Sequence, residues 1–178
     1  LHARKGAPLI RHASVIHGAP MIDTNYVRTL ARYNRWQNQS LYGAADGLSD
    51  EARRQDRGSF FKSIHATLSH IFWADNMWMS RLSDVAKPVV GLPDSPLFVE
   101  DWAELKRRRA AFDDKIVAFA DGLDPASLAG DLAWYSGATK RDVVAPRWLA
   151  IAHMFNHQTH HRGQVHAMLT AAGAQPAD

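Results

Sequence analysis

Residues 63–78 read SIHATLSHIFWADNMW, a stretch that is apolar on almost every face of the helix that it predicts. A helix without a polar face is buried inside a protein. Three further long helical patterns, each bounded by breakers, cover residues 22–45, 99–122 and 146–172. The buried helix is expected to begin with Ser59 as its N-cap and to end near Leu82. The sequence therefore predicts an all-α protein, an antiparallel four-helix bundle.

The connections between these helices are unequal in length. Residues 83–98 and 123–145 exceed ordinary helix–helix loops, and we expect them to cover whatever is bound at the end of the bundle. The second connection contains short extended pieces near 131–134 and 141–144. Residues 1–20 show no helical period and hold two glycines and two prolines. We therefore expect a separate tail over residues 1–20, disordered or foreign to the natural chain, followed by one domain over residues 21–178.

Composition excludes several classes of function. The chain of 178 residues contains no cysteine, so a disulfide framework, a cysteine nucleophile and a thiolate metal site are excluded. Three of the 21 Lys and Arg residues and no acid lie in residues 1–20, which leaves 18 basic and 18 acidic residues in residues 21–178. A neutral body does not favour binding to nucleic acid. With no secretory apolar core and no run of roughly 18 apolar residues, we expect a cytoplasmic protein without a membrane partner.

Two of the helical patterns carry specific expectations. In the first, the apolar stripe is formed by aromatic and leucine side chains at intervals of three to five residues, and Trp36 is expected in the core. In the third, the basic run 106–109 (KRRR) spreads over all sides of the helix, so we expect it to be solvated.

Histidines are concentrated in the last helix, where five lie within the 14 residues from 153 to 166. Imidazoles spaced i, i+4 stack on one side of a helix and bind a single divalent ion. On a helical wheel, His157 and His161 straddle the apolar stripe, whereas His153 and His160 flank it and His166 points elsewhere. A third ligand must come from the second helix, where His65 and His70 remain equal candidates. Three imidazoles with an open position are typical of a catalytic zinc site.

The sequence lacks the residues that two other kinds of metal site require. A di-iron bundle needs several inward glutamates in Glu-x-x-His pairs. The chain has only Glu51, Glu100 and Glu104, none of them three residues before a histidine, and the HExxH motif is absent.

Three segments together resemble one family: YNRW at residues 33–36, SIHATLSHIFWAD at residues 63–75 and HMFNHQTHHRGQ at residues 153–164. They are similar to the DinB-like family, which includes thiol-dependent S-transferases and maleylpyruvate isomerases, over residues 21–172. The resemblance implies a four-helix bundle of the DinB/YfiT-like type. It also implies the metal ligands His70, which precedes Asp75 by five residues, and the pair His157 and His161.

The resemblance further implies zinc or nickel as the metal, a homodimer, and a low-molecular-weight thiol as co-substrate. We therefore expect a metal-dependent transferase that conjugates such a thiol to a small electrophilic substrate. The alternatives are a metal-dependent hydrolase that uses the same site and a non-catalytic metal-binding stress-response protein.

Overall fold

The computed structural model describes residues 19–177, so the expected tail lies almost wholly outside the described residues. Within them are five α-helices, named α1 to α5 in chain order: Thr24–Asp46, Asp50–Arg54, Ile64–Leu82, Trp102–Asp121 and Arg147–Ala171. Two strands, β1 (Asp131–Ser136) and β2 (Arg141–Pro146), form an antiparallel hairpin between α4 and α5. The chain is thus mostly helical with a small sheet, and the two extended pieces expected from the sequence lie inside these strands.

Three of the four long helices begin at residues whose side chains cap them, whereas α5 follows Pro146 and has no side-chain cap. Asp23, Ser63 and Asp101 each accept a hydrogen bond from a backbone N–H in the first turn of α1, α3 and α4. The expected cap of the second long helix was therefore wrong by one turn, because Ser59 lies in a short bridge with Lys62 before the helix starts. The short helix α2 was not expected from the sequence.

The long helices pack side by side around a common core. Helix α1 lies against α4 and α5, and α3 lies against α4, α5 and the 3-10 turn at Leu92–Leu97. The largest fully buried apolar side chains come from α3, α4 and α5: Ile64, Leu68, Ile71, Phe72, Met79, Leu105, Ile116, Ile151, Met154, Phe155 and Leu169. Helix α3 is buried along most of its length, as its apolar composition predicts. No helix within residues 19–177 has the length and apolar character needed to cross a membrane.

The buried face of α1 differs from the expected one. Tyr26, Tyr33 and Trp36 are between 38% and 47% exposed, while Asn34 and Asn38 are buried. Trp36 is therefore not a core residue. The reason is that both asparagine amides donate to the carboxylate of Asp113 on α4, so polar pairing sets the orientation of α1.

A buried charge network occupies the centre of the helices. Arg109 on α4 is 2% exposed and donates to Asp75 on α3 at 2.6 Å and to Asp113 at 2.7 Å. Arg162 on α5 is also buried and donates to the side-chain oxygen of Asn34. The guanidinium of Arg109 thus pairs with two carboxylates away from water, and Arg162 joins this network through Asn34, whose amide donates to Asp113. The expectation that run 106–109 is solvated fails at Arg109, because these carboxylates compensate its charge in the core.

Candidate metal centre

Three histidines from two helices converge at one point. His70 comes from α3, and His157 and His161 come from successive turns of α5. One ring nitrogen of each lies within 4.8 Å of those of the other two. The ring centroids are 5.4 Å apart for His70 and His157, 4.8 Å for His70 and His161, and 4.5 Å for His157 and His161. We call these three residues the histidine triad.

The hydrogen bond between His70 and Ser95 fixes the tautomer of His70. Nδ1 of His70 lies 2.7 Å from Oγ of Ser95, and that hydroxyl donates its own proton to the carbonyl oxygen of Leu92. The hydroxyl of Ser95 must therefore accept, so Nδ1 of His70 carries the proton. Nε2 of His70 is left with a lone pair, which is the form that binds a metal ion.

The two histidines of α5 differ in their outer contacts. Nδ1 of His161 lies 2.8 Å from the amide oxygen of Gln164, which can only accept a hydrogen bond, so Nδ1 donates and Nε2 of His161 also keeps a lone pair. Nδ1 of His157 is buried without a hydrogen-bond partner among the described residues. A buried imidazole nitrogen that lacks a partner fits a site that a cation completes.

Burial keeps the triad neutral. Burial, together with the neighbouring histidines, lowers the pKa of His70 and of His157 to about 3. The pKa of His161 is also lowered, mainly by burial, although its hydrogen bond to Gln164 opposes this effect. All three rings are therefore unprotonated at neutral pH and can donate a lone pair without first losing a proton.

The other candidate histidines lie outside this cluster. His65 is buried elsewhere on α3, with Nε2 2.9 Å from the carbonyl oxygen of Val99. The structure therefore brings His70, and not His65, to the pair on α5. His153 and His160 are exposed and flank the triad, with ring centroids 6.1 Å from His157 and 4.7 Å from His161, respectively. His166 lies outside the cluster on α5.

Phe61 is a part of the site that the sequence analysis missed. Its ring stacks on His70 with a centroid distance of 3.9 Å and lies 5.5 Å from the ring of His161. It stands before the N-cap Ser63, in a turn where Lys62 has a φ of 70°. The adjacent aromatic pair at residues 60–61, just ahead of a histidine-bearing helix, was the available signal.

A large cavity opens beside the triad. It measures about 1010 Å³, and its wall includes His70 and His157. Both long connections contribute to the wall, through Val90 in the first and Tyr135 in the hairpin, as expected for segments that cover a binding site. Aromatic and aliphatic side chains dominate the lining, which is typical of a pocket for a small organic ligand.

Comparison with known proteins supports the family expected from these residues. The model of the DinB family matches residues 21–178. The chain belongs to the DinB family. Protein DinB of Bacillus subtilis (strain 168) is 24% identical over 154 residues, which cover 84% of this chain and 88% of that protein. No solved structure matches the chain significantly.

Proposed function

We propose that this DinB family protein binds one divalent metal ion, zinc or nickel, through His70, His157 and His161. The observation that carries the proposal is the convergence of three neutral imidazoles within 4.8 Å, two of them held in the ligand tautomer by Ser95 and Gln164. Three nitrogen ligands leave a coordination position for a substrate. The helices would form the DinB/YfiT-like four-helix bundle that the family resemblance implies.

We further propose that the protein is a transferase that conjugates a low-molecular-weight thiol to an electrophile. A divalent ion lowers the pKa of a thiol that it binds, so a nucleophile becomes available at neutral pH. In the reaction the thiol loses its proton, its sulfur forms a bond to the electrophilic carbon, and the leaving group departs with the electrons of the broken bond. The chain itself supplies the ligands, the aromatic ring of Phe61 against His70, and a largely apolar cavity for the organic substrate.

A conjugation assay tests this function directly. The zinc-loaded and nickel-loaded proteins are incubated with cysteine or glutathione and 1-chloro-2,4-dinitrobenzene, and the thioether is quantified. We expect turnover that chelator abolishes and added metal restores, loss of turnover in His157→Ala, and retention of turnover in His166→Ala. Full metal occupancy without thioether formation across a panel of thiols would contradict the transferase. Ester or amide hydrolysis under those conditions would identify a hydrolase instead.

We also propose that the protein forms a homodimer through α1 and α5. Tyr33 and Trp36 lie next to each other on α1, with ring centroids 5.5 Å apart, and both are more than 40% exposed. Exposed aromatic side chains are enriched at interfaces, and two-fold dimers are the commonest oligomers. Sedimentation at micromolar concentration is expected to give a species of twice the chain mass of 19.9 kDa. A monomer at all concentrations would reject the dimer.

Nucleic acid is not among the partners that we propose. Residues 21–178 contain equal numbers of acidic and basic residues. Sub-micromolar binding of duplex DNA by residues 21–178 in physiological salt would contradict the proposal that nucleic acid is not a partner.

A further inference from the structure

The cavity beside the histidine triad has a basic wall. Arg81 at the end of α3, Lys87 in the loop after it and Arg141 in β2 all line the cavity. The described residues of the lining include no Asp or Glu. A concave apolar surface with basic groups and no acid focuses a positive potential on whatever enters.

Arg81 is the most distinctive of these residues. Its guanidinium carbon lies 4.4 Å from the ring centroid of Trp78 and 5.5 Å from that of Trp134. Among the ion pairs of residues 19–177, none involves Arg81. The residue is half-buried, and this burial lowers its pKa. Arg109 in the core shows the usual arrangement, in which two carboxylates compensate a buried guanidinium.

Arg81 and the triad stand at two ends of one surface. Arg81 follows His70 by eleven positions, which is close to three full turns, so both lie on the same face of α3, roughly 16 Å apart along the helix axis. Trp78 and His153 lie between them, with ring centroids 4.9 Å apart, and His153 in turn neighbours His157. A ligand in this cavity can therefore contact Arg81, the tryptophans and the triad at once if it is extended.

We propose that the cavity binds an extended organic anion, whose anionic group pairs with Arg81 and whose apolar part packs against Trp78 and Trp134. The opposite end of the ligand then lies beside the triad. This inference names the substrate class of the proposed function, and it rests on that function only in treating the end beside the triad as the reacting end. The anion belongs either to the thiol or to its electrophilic partner.

A pair of fluorescent probes tests the anion site without any catalytic readout. 8-Anilinonaphthalene-1-sulfonate and N-phenyl-1-naphthylamine share their aromatic rings, but only the first carries a sulfonate. In Arg81→Met, the Kd of the sulfonate probe should rise about ten-fold, because a charge-assisted contact is lost. The Kd of the neutral probe should stay within about two-fold, and Arg81→Lys should recover most of the sulfonate affinity.

Arg108 provides the matched control. It is also half-buried and lies over two aromatic rings, those of Phe72 and Phe98, but it lines a different cavity. Arg108→Met should leave the affinity for both probes unchanged. The proposal is overturned if Arg81→Met leaves the sulfonate affinity unchanged, if it weakens both probes equally, or if Arg108→Met alone weakens the sulfonate probe.

Titrations with and without zinc separate this inference from the proposed function. If the protein fails to bind zinc but its affinity for the sulfonate probe still depends on Arg81, the proposed metal centre is rejected and the anion site is supported. If zinc binds but the affinity for the sulfonate probe does not depend on Arg81, the anion site is rejected and the metal centre is supported.

Displacement of the sulfonate probe then identifies the source of the anion. In the zinc-loaded protein, 8-mercaptooctanoate and octanoate are compared as competitors. Stronger displacement by the thiol acid, dependent on zinc, supports an anionic thiol, and equal displacement supports an anionic electrophile. Failure of both acids to displace the probe would overturn the proposal for carboxylate ligands.

Discussion

The hydroxyl of Ser95 accepts a hydrogen bond from Nδ1 of His70 at 2.7 Å, and so ties the first long connection to the candidate metal centre. Ser95 is fully buried in the 3-10 turn at Leu92–Leu97, and its own proton is donated to the carbonyl oxygen of Leu92. The turn thus presents a single acceptor to the imidazole. We propose that this contact keeps a lone pair on Nε2 of His70 available to a metal ion.

Removal of this acceptor should weaken metal binding. In Ser95→Ala, we expect the zinc affinity to fall about ten-fold. Loss of the hydrogen-bond partner of a metal-binding histidine typically lowers the metal affinity by roughly 10–100-fold. Competition titration against a chromophoric chelator measures the change. Ser80→Ala is the control, because the hydroxyl of Ser80 donates a hydrogen bond to the carbonyl oxygen of Met77 within its own helix. Equal zinc affinities in Ser95→Ala and the wild type would refute this role.

The metal-free protein should lose stability in acid because of the triad. The pKa of His70 and of His157 is about 3 in the folded protein and about 6.5 in an unfolded chain. Between these values the unfolded state binds more protons, so the free energy of unfolding rises with pH, by at most about 1.4 kcal/mol per pH unit for each group. The stabilisation is complete above about pH 6.5 and is lost as the pH falls towards 3.

Urea titrations between about pH 4 and pH 7 measure the slope. In His70→Gln, one titrating group is removed and the slope should be smaller. A slope that is unchanged in His70→Gln would show that its neutral ring contributes nothing to the acid sensitivity.

The buried charge network should tolerate the loss of Arg109 poorly. In Arg109→Leu, the carboxylates of Asp75 and Asp113 remain in the core without their cation. Removal of one partner from a buried ion pair costs about 3–5 kcal/mol, so chemical denaturation should show a loss of this size. Arg107→Leu is the matched control on the same helix, since Arg107 pairs with Glu104 at the surface, where water screens the pair, and its effect on the free energy of unfolding should be much smaller. Similar small losses in both variants would contradict the stabilising role of the network.

Much of the helical architecture and of the candidate site can be read from local patterns. Helical periodicity indicates the four long helices, and the wheel of α5 separates His157 and His161 from His153 and His160, because Ala150, Val165 and Met168 mark the buried stripe. The family resemblance selects His70 over His65. In the structure, both histidines are buried on α3, so burial alone would not have distinguished them.

The features that could not be predicted from the sequence depend on contacts between segments that are distant in the chain. The buried face of α1 is set by the pairing of Asn34 and Asn38 with Asp113, 75 or more residues away, so a hydrophobicity pattern assigns its aromatic residues to the wrong side. Arg109 looks like its neighbours in the run 106–109 until Asp75 is placed opposite it. Phe61 and Ser95 reach His70 from turns whose conformation no helical period predicts.

The stoichiometry of zinc bound by the triad variants tests the central claim most directly. Purified wild type, His70→Ala, His157→Ala, His161→Ala and His166→Ala are loaded with Zn²⁺, passed through a desalting column and analysed for metal and protein. We expect one zinc per chain in the wild type and in His166→Ala, and occupancy lower by at least several-fold in each of the three triad variants. Unchanged occupancy in both His157→Ala and His161→Ala would contradict the assignment of this metal centre.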